Sequence, residues 1–260
     1  MIPENVRNKI LNALQTIEKE NNVCIFYACE SGSRAWGFPS TDSDYDVRFL
    51  YIHPIEWYLS IDKKRDVIEK LITDEIDMSG WDIKKTLQLF KKSNPALLEW
   101  LHSPIVYSEK HSVIQKLKVL LPEYYSPVAC LYHYLHMAQG NYREYMKGET
   151  VWTKKYFYIL RPIFACLWIE KNLGPVPVEF EVLVNRLVTD DKLKQEINNL
   201  LVKKKKGEEL SSGPQIPVIN DFIVNQLNRL ETFKLEYGKQ KTNNELLNKL
   251  FRESLNEVWG

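Results

Sequence analysis

The chain has 260 residues, 44% of them hydrophobic and 27% charged, a composition that buries a sizeable core and excludes a disordered or fibrous protein. Single cores stop growing at roughly 250 to 300 residues, so two domains of ordinary size are expected here. Lys and Arg number 35 against 34 Asp and Glu, a formal net charge of +1. No whole-molecule field then draws in nucleic acid, and any such binding must come from local charge placement.

The start, Met1 to Arg7, lacks a basic segment followed by an apolar run, and no stretch nears the roughly 18 apolar residues that span a bilayer. No membrane association is expected, and the expected compartment is the cytosol. Cys24, Cys29, Cys130 and Cys166 are scattered among apolar neighbours with no CxxC pair, the pattern of buried free thiols.

Val6, Ile10, Leu14 and Ile17 recur at helical spacing and predict a leading helix. The apolar run Val23–Cys29 predicts a strand buried on both faces, closing at the turn residues Glu30-Ser-Gly-Ser-Arg34. From Asp44 to Ile52 the residues alternate: Tyr45, Val47, Phe49 and Tyr51 share one face, Asp44, Asp46 and Arg48 the other. Two further short strands, a hairpin, are predicted at 66–71 and 75–78, then a helix from about Asp82 to the stop at Ser93-Asn-Pro95. After Ala96 only helical patterns remain, near 111–121, 128–146, 153–171, 179–188, 191–205, 218–236 and 243–258. The fold class is therefore α+β with a helical C-terminal domain, divided as 1–106 and 107–260. Pro162 should kink or break its helix. Leu210–Pro217 reads as a loop, and Lys203–Lys206 as a solvated helix end.

Chemistry concentrates in one stretch. Gly32-Ser33 closes the first strand, and Asp44-Tyr45-Asp46 then places two carboxylates on one strand face, since side chains at i and i+2 point the same way. Like charges this close require a shared proton or bound cations, and magnesium suits oxygen ligands that also meet substrate phosphates. Asp77 would add a third carboxylate from a later strand, with Asp82 the second choice and Asp74 and Glu75 further rivals. Gly32 lets backbone approach a phosphate, Ser33 and Ser43 offer hydroxyls, and Arg34 would contact a triphosphate or pair with Asp44. Lys154, Tyr158 and Arg161 fall at i, i+4 and i+7, so one helix face would either clamp phosphates and stack a base or be a charged solvent face with an incidental Tyr. An exposed acidic edge or a calcium loop is the bland alternative for the Asp pair, but the glycine and terminal Glu of such a loop are missing.

The run Gly32-Ser-Arg-Ala-Trp-Gly37, with Ser43-Asp-Tyr-Asp-Val-Arg48, resembles the signature of the DNA polymerase beta-type nucleotidyltransferase superfamily. More narrowly it is similar to a group of predicted nucleotidyltransferases, some linked with RNA repair. Trp81-Asp82, Lys92–Pro95, Glu99-Trp100, Ser103-Pro104, Lys154–Tyr156 and Arg161 extend the likeness over residues 30 to 165. The resemblance implies a mixed nucleotidyltransferase-type sheet with flanking helices in the N-terminal half. It also implies transfer of a nucleoside monophosphate from a nucleoside triphosphate, with Asp44, Asp46 and Asp77 as catalytic metal ligands for two magnesium ions. The acceptor, a nucleic acid 3' end, a protein or a small molecule, stays open. The alternative is an inactive nucleotide- or RNA-binding or antitoxin-like partner protein on the same fold, which gains nothing from three clustered carboxylates.

Overall fold

Helix α1 (Glu4–Asn21) buries Ile10, Leu14 and Ile17 along one stripe and ends at Asn22, whose left-handed backbone (φ 50°) turns its N–H back to the Glu18 carbonyl. Each of those three side chains stabilises the fold by roughly 1.5–3 kcal/mol. The structure is a computed structural model and describes residues 2–40, 42–73, 75–146, 148, 150–207, 212–235 and 243–260. It divides into two compact units, Met1–Ala35 with Asp44–Tyr125 and Lys239–Gly260, and Trp36–Ser43 with Ser126–Gly238.

The first unit is built on a five-stranded mixed sheet. Its strands are β1 (Cys24–Glu30), β2 (Tyr45–Ile52), β3 (Val67–Thr73), β4 (Ile76–Asp82) and β5 (Val106–Glu109), in the spatial order β3-β4-β2-β1-β5. Only β2 and β4 run parallel, and their register sets Asp46 opposite Asp77 and Tyr51 opposite Asp82. Gly80 of β4 is required by packing: a Cβ there would lie 2.1 Å from the Phe49 ring. One sheet face is covered by α1 over Val47, Phe49, Tyr51 and Met78. The other buries Phe26, Leu50 and Ile52 against α4 (Ile83–Lys91), α5 (Pro95–Leu101), α6 (Val113–Tyr124) and α12 (Asn244–Trp259). The short helices α2 (Gly32–Ala35) and α3 (Ile55–Tyr58) complete the unit. Asp82 caps α4 by accepting from the Lys84 N–H, and Asn94 caps α5 ahead of Pro95 at its first turn.

The second unit comprises α7 (Pro127–Tyr145), β6 (Thr150–Trp152), a 3-10 turn (Thr153–Lys155), α8 (Tyr156–Glu170), α9 (Phe180–Leu187), α10 (Asp191–Lys205), β7 (Ser212–Pro214) and α11 (Pro217–Thr232). Phe38, from the segment Trp36–Ser43, stacks on Phe157 at 4.7 Å and meets Phe180 edge-on at 5.5 Å, which ties that segment into the helices.

Several expectations change. A division after residue 106 would cut β5 at its first residue, and the last helix belongs with the sheet. Strands do occur after Ala96, but β5 has only four residues and β6 and β7 three each, too short to show alternation. Helix α8 runs on through Pro162. The loop expected at Leu210–Pro217 contains β7, and its first two residues lie outside the described ones. The four cysteines are free, with Cys29, Cys130 and Cys166 buried. Among the described residues no helix is long and apolar enough to cross a membrane.

Candidate active site

Where β1 ends and β2 begins, the chain fixes Asp46 from both sides of its backbone. The Ser31 N–H donates to the Asp46 carbonyl at 2.9 Å, and the Asp46 N–H donates to Glu30 Oε1 at 2.9 Å. Glu30 is fully buried, and its other oxygen accepts from the Tyr107 hydroxyl. Burial raises the Glu30 carboxyl to about 7, against the Tyr107 and Asp46 hydrogen bonds that favour its charged form. Gly32 opens α2 at φ +59°, and the space its missing Cβ leaves is taken by Asp46: a Cβ there would lie 2.1 Å from Asp46 Oδ2. The glycine thus admits a carboxylate against the backbone as well as a left-handed turn.

Arg48 lies between the two register partners. Its Nη2 meets Asp46 Oδ1 at 2.9 Å and its Nη1 meets Asp77 Oδ2 at 2.9 Å, with the guanidinium side chain only 18% exposed. Burial pushes the Asp46 carboxyl above the usual range; Arg48 opposes this, and repulsion from Asp77 and Asp44 adds to it. Three acids therefore feel one another at this end of β2. Asp44 is exposed just before the strand, and its carbonyl accepts from Arg34 Nε at 3.1 Å, while the Arg34 guanidinium lies 3.8 Å from the Tyr45 ring centre. Ser33 is half-buried in α2. Asp82 is excluded from the cluster by register, five residues further along β4 as the cap of α4. Of the other rivals, Asp74 lies outside the described residues, and Glu75 is exposed ahead of β4 with its carbonyl accepting from the Tyr45 N–H at 2.7 Å.

The donor set suits magnesium in kind: carboxylate oxygens alone, with Asp46 Oδ2 and Asp77 Oδ1 left outside the Arg48 ion pairs. Among the described residues no three His, Cys, Asp or Glu side chains are placed together to hold a metal ion, and Arg48 balances two of the carboxylate charges. Asp44 stands exposed two residues before Asp46.

In the second unit the expected clamp is rearranged. Lys154 belongs to the 3-10 turn before α8 and lies 5.6 Å from the Trp152 ring centre, so the spacing to Tyr158 and Arg161 does not run along one helix. Lys155 is the cation at Tyr158, 4.9 Å from its ring centre, and Tyr158 meets Trp36 edge-on. Arg161 faces inward, 2% exposed, donating to the Val178 carbonyl at 3.3 Å with its guanidinium 4.9 Å from the Trp36 ring centre. Ser43 accepts from the Ser40 N–H at 2.9 Å, and Lys204 donates to Ser40 Oγ at 2.7 Å. The lysine run at the end of α10 is therefore partly docked on the segment that carries Ser43, where a wholly solvated helix end was expected.

The roles of Glu30, Arg48 and Lys204 escape sequence reasoning. A lone Glu at the end of an apolar strand is the one available signal for Glu30, since an acid there needs a buried partner. The role of Arg48 depends on the β2–β4 register, and that of Lys204 on contacts across 161 and 164 residues.

A parallel strand pair carrying facing carboxylates beside a glycine turn, on a mixed sheet, defines the class: the chain belongs to the RNA repair pathway DNA polymerase beta family, RlaP, whose model matches residues 6–253. It is 49% identical over 255 residues to the uncharacterized protein YcgL of Bacillus subtilis (strain 168), covering 98% of each chain. A nucleotidyltransferase-like protein from Exiguobacterium sibiricum 255-15, known from a crystal structure, is 12% identical at a TM-score of 0.29, with 95% of this chain and 89% of that one covered.

Proposed function

We propose that the protein is a magnesium-dependent nucleotidyltransferase that moves a nucleoside monophosphate from a nucleoside triphosphate to an acceptor hydroxyl, the acceptor being RNA. The observation that carries this is the pairing of Asp46 with Asp77 across parallel strands, with Asp46 Oδ2 seated against Gly32. The family's RNA repair designation favours RNA over a protein or small molecule. Asp44, Asp46 and Asp77 would hold the magnesium, which supplies charge neutralisation at the phosphates and a more acidic acceptor hydroxyl. Glu30 and the Ser31 N–H keep Asp46 in place, and Arg48 holds the acids together before substrate arrives. Ser33 and Arg34, on the turn next to Asp46, would bind the terminal phosphates. Asp77 Oδ1, outside the Arg48 pair, would take the acceptor proton. Among the second unit's residues, Ser43, Lys154 and Tyr158 remain proposed nucleotide contacts, while the inward Arg161 would act by supporting Trp36 beneath Tyr158.

The test is incubation with each alpha-labelled nucleoside triphosphate, magnesium and RNA, comparing wild type with Asp46→Ala. Label should reach RNA with wild type only; equal transfer by both proteins refutes the site. A second reading, a metal-free nucleotide- or RNA-binding partner protein, is favoured by the Arg48 bridge, which balances Asp46 and Asp77 without an ion. Magnesium-independent nucleotide binding that Ser33→Ala and Arg34→Ala abolish, with no transfer to any acceptor, would establish it.

A further inference from the structure

The far ends of β2 and β4, about 16 Å of strand beyond the Asp46–Asp77 pair, border a second feature that the transferase reading leaves unused. A cavity of about 380 Å3 lies there, between the segment 57–66 and the first turn of α4. That volume falls in the range of small-molecule sites, roughly 300–1,000 Å3.

Four lysines line it, Lys63, Lys64, Lys84 and Lys85, in a chain whose net charge is only +1. Lys85 is paired with Asp66 at 3.0 Å, whereas among the described residues Lys63, Lys64 and Lys84 make no ion pair. Three acids, Asp62, Asp66 and Asp82, line it as well and leave the lysines one charge in excess. Asp82 is fully buried with both oxygens engaged, Oδ1 by the Lys84 N–H at 2.7 Å and Oδ2 by the Tyr58 hydroxyl at 2.6 Å. Asp62 is exposed to water. Lys84 and Lys85 also stand in the first turn of α4, at the positive end of the helix dipole, where the fold gives cations no support and an anion would offset them.

The wall has a flat aromatic component as well. Trp57 stacks on His53, ring centres 4.0 Å apart and 7° from parallel, and burial keeps that imidazole neutral by lowering it to about 4. The stack and the edge-on Tyr58 ring, 4.9 Å away, restrain the half-buried indole, and Lys64 Nζ lies over it 5.3 Å from the ring centre. Cations beside a rigid aromatic face are the elements that hold phosphate and base together.

We propose that this cavity is a nucleotide-binding site, with the phosphate on Lys63, Lys64 and Lys84 and the base against Trp57. The nucleotide is either free or one unit of a single-stranded RNA. The inference stands apart from catalysis at Asp46.

The test is equilibrium binding of two probes, each of the four mononucleotides and a short fluorescein-labelled single-stranded RNA, without magnesium. Full-length wild type is compared with K63A/K64A/K84A, Trp57→Leu and, as control, Lys192→Ala, and melting curves verify that each variant is folded. Loss of about tenfold or more in affinity is expected for the lysine and Trp57 variants. For RNA the lysine variant should also show a salt dependence shallower by up to about 2 in log–log slope. Lys192→Ala, an exposed lysine of the second unit, should bind as wild type. Parallel losses for mononucleotide and RNA support the site with either source, and losses confined to RNA support a strand as its ligand. Unchanged affinity in the folded lysine and Trp57 variants, or an equal loss in Lys192→Ala, overturns the proposal.

Discussion

Adding one methyl group at Gly32 should disable the site more than it destabilises the fold. A Cβ there stands 2.1 Å from Asp46 Oδ2 and 3.0 Å from its Cγ. Non-bonded heavy atoms settle near 3.5 Å, so the carboxylate would have to retreat by about 1.4 Å. It has little freedom to do so, because Ser31 and Glu30 hold its backbone and Arg48 holds Oδ1. Forcing alanine into φ +59° costs about 1–2 kcal/mol and the overpacking about 1–3 more, so Gly32→Ala should lose about 2–5 kcal/mol in urea denaturation. A displacement of about 1 Å at reacting groups costs about 100-fold in rate, and label transfer should fall at least that far. Gly37→Ala is the control: φ is +90°, but no atom lies within 4 Å of the added Cβ. It should show the backbone cost alone, about 1–2 kcal/mol, and a much smaller change in transfer. Equal effects of the two variants in both assays would refute the close packing of Asp46 on Gly32 as the basis of the site.

Gly80→Ala sets a Cβ 2.1 Å from the Phe49 ring and should cost about 1–3 kcal/mol in urea denaturation without altering metal uptake; an unchanged midpoint contradicts the packing. Arg48→Met leaves Asp46 and Asp77 facing each other without counter-charge, so stability should drop by about 1–3 kcal/mol. Added magnesium should then raise the melting temperature of that variant more than that of wild type, and equal magnesium shifts would count against a shared ion site. Asp82 gives a pH test, since burial raises its folded pKa to about 6 against about 3.9 unfolded. The folded state then holds the extra proton, so this contribution is fully present below about pH 4 and is lost as pH rises through 6. Denaturation of wild type and Asp82→Asn between pH 4 and 7 should show the difference moving towards the variant by up to about 3 kcal/mol, and parallel curves would contradict it.

Local patterns were legible in the sequence, and contacts between distant segments were not. The alternation from Tyr45 to Ile52 already places Asp44, Asp46 and Arg48 on one face, and the strand and its acids stand there. Arg48 reads as a companion of the acids until the parallel pairing of β2 with β4 sets Asp77 across from Asp46. The same pairing separates Asp77 from Asp82, two acids on one seven-residue strand that residue type alone cannot rank. Lys154, Tyr158 and Arg161 have helical spacing, but the 3-10 turn over Thr153–Lys155 shifts the angular phase and Arg161 turns inward under Trp36. The segment Trp36–Ser43 and the last helix belong to units that chain order does not indicate, because Phe38 and Leu250 are held by aromatic and aliphatic partners far away in sequence.

Calorimetric titration of magnesium into the protein with a non-hydrolysable nucleoside triphosphate tests the central claim most directly, run in parallel on wild type, Asp46→Asn and Asp77→Asn. Uptake by wild type and its loss in both variants, with their melting behaviour intact, is the predicted result. Identical heats for all three proteins would show that the facing carboxylates of β2 and β4 hold no ion.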